Sequence, residues 1–237
     1  MLEIKDVKKS YKGRAAVDGV SFCVEGGQLL GVIGRNGAGK STLMSMIATL
    51  IKPDSGEILW DGTNIATHPA AIREKLGFVP QDIALYEKLS GLDNMKFWGK
   101  SCGVTGERLK ERIKEVCKDI NFDEEMLRKK VGNYSGGMKR RLNIGVALLH
   151  DPEIIVLDEP TAGIDIDSGR LVQSAIAGLR DKGKAVIYVG HYLEEIRELA
   201  THICIMNEGK VAAFGKKEEL LEGGSIGELY DRFASEK

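Results

Sequence analysis

The segment Gly34-Arg35-Asn36-Gly37-Ala38-Gly39-Lys40-Ser41-Thr42 constrains the fold of this chain more than any other. It follows the apolar run Gln-Leu-Leu-Gly-Val-Ile and precedes Leu43, Met46, Ile47 and Leu50, which share one face at helical spacing. A glycine-rich turn between a buried strand and a helix lets backbone N–H groups converge on an anion, and the helix dipole adds positive potential there. In the pattern G-x-x-x-x-G-K-S the lysine reaches the β- and γ-phosphates of a nucleotide. Lys40 takes that place; the Ser41 hydroxyl would ligate Mg²⁺, with Thr42 supporting the loop. The bland alternative is a Gly-rich turn ahead of a core helix. The strand–loop–helix order favours the phosphate loop.

Such a loop calls for an α/β fold with an open, mainly parallel sheet and its ligand at the strands' C-terminal ends. Strands are expected at 2–7, 19–25 and 28–34, the first two forming an N-terminal antiparallel β region. After the helix, Lys-Pro-Asp-Ser-Gly makes a turn, 57–65 a strand and turn, and 69–76 a short helix with Pro69 at its first position. A brief strand over 77–82 runs into a loop. From about 90 to 128 the pattern is nearly continuous helix, with Leu109, Ile113, Val116 and Ile120 on one stripe. A further helix follows Ser135, carrying Met138, Leu142, Gly145, Val146 and Leu149 on one face. No strand interrupts this stretch, so a helical subdomain over about 85–150 is read as inserted into the α/β core.

The α/β rhythm then resumes. Ile154–Leu157 is unalternating, as a parallel strand covered on both faces must be. A helix stopped by Gly183, a second buried strand, another helix and a hairpin around Glu208-Gly209 follow, with a helical tail over about 216–237. The whole of 1–237 is read as one domain carrying that insertion. With 237 residues, 43% of them hydrophobic, the chain can bury a full core. The formal net charge of -1 leaves no broad basic field for nucleic acid. Cys23, Cys102, Cys117 and Cys204 lie far apart with no CxxC pair, and three of them sit in apolar-periodic segments, so buried free thiols in a reducing cytosol are expected. The N-terminus lacks the apolar region of a signal peptide, and no apolar run is long enough to span a bilayer. Any link to a membrane runs through a partner.

Two further features carry chemistry. Asp158 and Glu159 end the buried strand at 154–157, at the same sheet edge as the phosphate loop. Asp158 suits a Mg²⁺ shell, and a carboxylate at Glu159 can take a proton from an attacking water. Taken alone, the pair could simply cap the next turn. Ser135-Gly136-Gly137 opens a helix with side-chain-poor backbone of the kind presented to phosphate. One small chain thus has two phosphate-facing helix starts.

With these segments in hand, the sequence resembles the ATP-binding subunit of ABC transporters from about Leu2 to Leu221. Gly34–Thr42 looks like Walker A of a P-loop NTPase, Ile154–Pro160 like Walker B, and Tyr134-Ser135-Gly136-Gly137-Met138 like the signature loop. The resemblance implies Mg-ATP as ligand and a head-to-tail dimer with a second copy or a related ATPase subunit. The Ser135 loop of one subunit would then close on the nucleotide held by the other, which explains the two phosphate surfaces. It also implies a multi-span membrane permease as partner, and a cytoplasmic position on the inner face of the membrane.

Tyr11 resembles the aromatic that stacks on adenine, and Gln81 the glutamine that touches Mg²⁺ and the attacking water. Asp165 resembles the aspartate that crosses the dimer interface, and His191 the switch histidine that contacts the γ-phosphate. Met138 replaces the common glutamine, Tyr134 the common leucine, Gly190 a frequent threonine and Ile166 a usual proline. This pattern is similar to the exporter branch that handles drugs, lipids, polysaccharides or antibiotics. A soluble ABC ATPase serving a non-membrane assembly such as cluster biogenesis, a P-loop small-molecule kinase, and a non-hydrolysing regulator are the competing readings. The kinase leaves the Ser135 loop unexplained.

Overall fold

Alternating burial draws the first two strands together. In the computed structural model, which describes residues 1–234, β1 (Leu2–Tyr11) and β2 (Arg14–Val24) form a hairpin through Lys12 and Gly13, with φ of 49° and 80°. Two positive φ angles give the turn whose twist matches the flanking strands. Both strands run further than the apolar pattern suggests, because pairing continues to Tyr11↔Arg14 through polar positions. Next come β3 (Leu29–Ile33), α1 (Lys40–Ile47), β4 (Ser55–Trp60), β5 (Thr63–Asn64), α2 (Ala70–Arg73) and β6 (Leu76–Val79). The first sheet is antiparallel with order β2-β1-β4-β5. Its apolar face, including Leu2, Ile4, Val20 and Ile58, shares one buried layer with Leu43, Met44 and Ile47 of α1.

Between β6 and the next strand lie α3 (Gly91–Ser101), α4 (Gly106–Asp119) and α5 (Gly136–Leu148), with two short 3₁₀ turns before α5. Ser90 caps α3 by accepting from the Asp93 N–H. Leu109, Ile113, Val116 and Ile120 are all buried, so the stripe on α4 is its packing face. Gly145 lets α5 approach: a Cβ there would lie 2.7 Å from Ile120 Cδ1. The helix is not continuous over 90–128. Gly103 (φ 79°) and Asn121 (φ 51°) adopt left-handed conformations that end α3 and follow α4.

The chain then returns to strands with β7 (Ile154–Asp158), α6 (Ile166–Asp181), β8 (Ala185–Val189), α7 (Leu193–Leu199), β9 (His202–Asn207) and β10 (Lys210–Lys216). Helices α8 (Lys217–Leu221) and α9 (Ile226–Ala234) complete the described residues, and positions 235–237 of the expected tail lie outside them. The central sheet has the order β10-β9-β3-β8-β7-β6, parallel from β9 to β6 with β10 antiparallel at the edge. Every residue of β3, β7 and β8 is buried, with an apolar layer on each face. All parallel strands point their C-terminal ends to one side. There β3 runs into Gly34, β6 towards Gln81, β7 into Glu159 and β8 towards His191.

Three local expectations need correction. Leu50 is not on the buried face of α1 and is 64% exposed, because Thr49 (φ 57°) ends the helix and the Leu50 N–H turns back to the Ser45 carbonyl. Pro69 is the N-cap of α2 rather than its first residue. Of the cysteines, Cys117 and Cys204 are buried, but Cys23 is on the outward side of β2 and Cys102 caps α3 at the surface.

Candidate functional site

The Gly34–Thr42 loop owes its shape to two glycines that neighbouring backbone will not let be anything else. A Cβ on Gly34 would lie 2.3 Å from the Met206 carbonyl oxygen. Gly39 has φ 96°, and a Cβ there would lie 2.1 Å from the Ala16 carbonyl oxygen. The β9–β10 turn supports the same loop, since the Gly209 N–H donates to the Ala38 carbonyl at 3.1 Å. Lys40 is buried, and its Nζ donates to the carbonyls of Gly34 (2.6 Å) and Arg35 (3.1 Å). Burial lowers its pKa, and the negative charges of Glu159 and Asp158 oppose that shift.

A cleft of about 600 Å³ opens over this loop, lined by Ala16, Asn36, Gly37, Ala38, Gly39, Lys40, Ser41, Thr42, Gln81, Glu159 and His191. The Ser41 side chain faces the Asp158 carboxylate at the end of β7. Burial, and then the charge on Glu159, push the Asp158 carboxyl above its ordinary value. The oxygens of Ser41, Gln81 and Asp158 are hard donors suited to Mg²⁺, and a buried carboxylate held above its usual pKa gains from a cation beside it.

Glu159 is where three loops meet. Its Oε2 accepts from Gln81 Nε2 at 2.9 Å, and His191 Nε2 lies against its Oε1. Its N–H donates to the Val189 carbonyl at 2.9 Å. Glu159 has φ 49°, a left-handed conformation that costs a non-glycine residue energy and persists only when its surroundings hold it.

Tyr11 lies on a second cleft of about 640 Å³, which it lines with Arg14, Arg35, Asn207 and Glu208. Asn36, Gly37 and Ala38 line both clefts, so the two share one loop as their common wall. The Tyr11 ring is half exposed, with Lys9 Nζ 5.9 Å from its centroid.

Ser135 to Met138 are not among the residues lining the cleft over Lys40. Ser135 is the N-cap of α5 and accepts from the Met138 N–H at 3.2 Å. Gly137 packs so closely on α6 that a Cβ would lie 2.3 Å from the Ser168 side chain. Asp165 caps α6 by accepting the Ser168 N–H at 2.9 Å, a bond that lowers its pKa. Ile166 beside it is 77% exposed. The Ser135 and Asp165 loops therefore stand together, while the Met138 side chain turns to the core.

Sequence reasoning missed Arg140. Its buried guanidinium donates to the Gln81 carbonyl and, at 3.2 Å, to the Ala162 carbonyl, tying α5 to the loops after β6 and β7. The signal in the sequence was an arginine one turn after Gly137, on the buried side of α5. A cluster of the buried Thr161 and Tyr188 with the partly buried Glu195 was missed as well, and nothing in local periodicity marks it.

Comparison with known proteins adds an independent view. The family model described as "ABC transporter" matches residues 17–162. The linearmycin resistance ATP-binding protein of Bacillus subtilis (strain 168) is 42% identical over 220 residues, covering 93% of this chain and 70% of that protein. Nod factor export ATP-binding protein I of Cupriavidus metallidurans is 32% identical over 233 residues, covering 97% and 77%. Among solved structures, a dimeric ATP-binding cassette in a post-hydrolysis state, bound to ADP and Pi, superposes with a TM-score of 0.81 at 29% identity, covering 91% of this chain and 98% of that one.

Proposed function

This chain belongs to the ABC transporter family of ATP-binding proteins, and on that premise we propose that it is the ATPase subunit of an exporter. It binds ATP and hydrolyses it. In our reading it closes head-to-tail with a second copy or a related subunit around two Mg-ATP, and so drives a separate multi-span permease. One observation carries this. Lys40, Gln81, Glu159 and His191 line a single cleft, whereas the second phosphate-type helix start at Ser135 stands outside it, beside Asp165. A site with its chemistry in one chain and its lid on another face is completed by a partner.

In this reading each residue has a role. The backbone of Gly34, Arg35, Asn36, Gly37, Ala38 and Gly39 cradles the phosphates, with Lys40 and Thr42 supporting them. Ser41, Gln81 and Asp158 would hold Mg²⁺, which would supply positive charge against the phosphates. Tyr11 stacks on the base across the shared loop wall. Glu159 takes the proton of the attacking water as the water oxygen bonds the γ-phosphorus and the bond to the bridging oxygen breaks, releasing ADP. Gln81 and His191, each on one oxygen of Glu159, hold that carboxylate in line. From the partner subunit, Ser135, Gly136, Gly137 and the backbone of Met138 would face the γ-phosphate, and Asp165 would cross the interface. The 85–150 segment is read as a helical insert within one nucleotide-binding domain.

No helix among the described residues is long and apolar enough to cross a membrane. We place the subunit on the cytoplasmic side of the membrane through its permease. Co-expression tests the reading. The subunit should pellet with membranes only when a multi-span protein encoded beside it is co-expressed. Pelleting in its absence, or failure to pellet in its presence, would assign the ATPase to a different partner.

A further inference from the structure

Tyr188 is fully buried in β8, between strands that carry the site, yet it brings a hydroxyl with it. That hydroxyl donates to Glu195 Oε2 in the first turn of α7 and lies 3.1 Å from Thr161 Oγ1. Thr161 Oγ1 donates to the same Glu195 oxygen at 2.7 Å. Thr161 lies shortly after Glu159 in the chain, and Glu195 one turn after His191. The three side chains thus bridge the two segments whose ends meet at the Glu159–His191 contact. Burial, and then the bond to Glu195, hold the phenol well above its usual pKa, so it stays a donor at any working pH.

The neighbouring glycine belongs to the same device. Gly190 has no left-handed φ that would demand glycine. What demands it is the phenol ring, since a Cβ on Gly190 would lie 2.6 Å from Tyr188 Cε1. Gly190 therefore makes room for the ring, and the ring's hydroxyl anchors the turn that delivers His191. Between them, the Val189 carbonyl accepts the N–H of Glu159, whose left-handed backbone needs external support.

We propose that Tyr188, seated over Gly190, is a positioning residue that sets His191 against Glu159 through Glu195 and Thr161. The proposal rests on the reading of His191 and Glu159 as acting groups. It adds a residue that touches neither nucleotide nor water. A small misplacement of an acting group is enough to lower turnover strongly. Removing the Tyr188 hydroxyl should therefore slow hydrolysis without changing nucleotide affinity.

The test is Tyr188→Phe, which keeps the ring and deletes the bond. Steady-state hydrolysis should show kcat lower by about tenfold or more, with KM changed less than about twofold. The chain has four histidines, so NMR of the imidazole signals is simple, with His191→Ala giving the assignment. The His191 signals should move in Tyr188→Phe while those of His68, His150 and His202 stay in place. Unchanged kcat, or a fall in kcat with the His191 signals unmoved, overturns the proposal. His191→Ala with wild-type turnover would instead remove His191 from the chemistry, a failure of the underlying reading that the single variant identifies by itself. Should Tyr188→Phe not fold, Glu195→Ala, which removes the oxygen that accepts from both hydroxyls, carries the same two readouts, and unchanged kcat or unmoved His191 signals there overturn the proposal equally.

Discussion

Gln81 donates its side-chain amide to Oε2 of Glu159 at 2.9 Å, although 78 residues of chain separate them. The contact exists because β6 and β7 are adjacent parallel strands and each ends at the same sheet edge. With His191 against the other oxygen, Glu159 has one neighbour on each carboxylate oxygen. Contacts on both oxygens restrict rotation of the carboxylate.

Glu159→Gln keeps that shape and removes the proton acceptor. General base catalysis is worth about 10²–10⁴-fold, so hydrolysis should fall by that order. Binding should persist, because Lys40, Ser41 and Asp158 are untouched. Trapped nucleotide stabilises the closed dimer by mass action. Size exclusion should show a dimer with Mg-ATP and a monomer with ADP. Normal turnover would take Glu159 out of the chemistry, and a monomer at saturating ATP would undercut the closed pair.

Lys40→Ala should lose nucleotide and keep its fold. Among the described residues its side chain bonds only carbonyls of its own loop, and burial makes its charge costly where it stands. Losing a charge-assisted contact to phosphate costs about 1.5–3 kcal/mol, or roughly 10–100-fold in affinity. Calorimetry that returned wild-type ATP affinity would sink the assignment.

Asp158 gives a stability test with a definite sign. Its folded pKa is raised above the ordinary 3.8 by burial and then by Glu159. The folded state therefore holds that proton more tightly than the unfolded chain does. Its stabilising share is complete below 3.8 and is lost as pH rises through the raised folded value. Without nucleotide at neutral pH, Asp158→Asn should melt at or above the wild type, and the advantage should shrink in acid. Mg-ATP should raise the melting temperature of the wild type more than that of the variant. A variant less stable at pH 7 and equal in acid would reverse the sign and refute the account.

Arg140 tests the coupling of the helices to the site. Its guanidinium serves the Gln81 and Ala162 carbonyls from a buried position. Arg140→Met leaves those acceptors without a donor, which costs about 1–3 kcal/mol. Denaturant midpoints should fall accordingly, and Arg140→Lys should recover part of the loss. Equal stability of Arg140→Met and wild type would show that water replaces the bonds at no cost.

What could be read from the sequence was what local pattern encodes. The Glu208-Gly209 turn was legible because two left-handed residues, at φ 47° and 81°, suit few sequences. The strands β3, β7 and β8 were legible because burial on both faces removes alternation. Leu50 misled because helical spacing says where a face continues, and only Thr49 says where the helix stops. Arg140, Tyr188 and Gly190 were hidden for another reason. Their partners are remote in sequence or depend on strand order, so the space that Gly190 leaves is visible only once the Tyr188 ring is in it.

The two phosphate-type helix starts make the last prediction. If Ser135 acts on the nucleotide of the other subunit, Ser135→Arg should block hydrolysis while the monomer still binds ATP. Lys40→Ala should block it by emptying its own subunit's cleft. Mixed, the two inactive variants form a dimer in which one composite site takes both lesions and the other takes neither. That intact site should turn over, so activity should reappear on mixing and follow the fraction of heterodimer. An arrangement with Ser135 acting within its own chain puts one lesion in each site and restores nothing. Heterodimers shown to form by differential tagging, with no recovery at any mixing ratio, would therefore exclude the shared site.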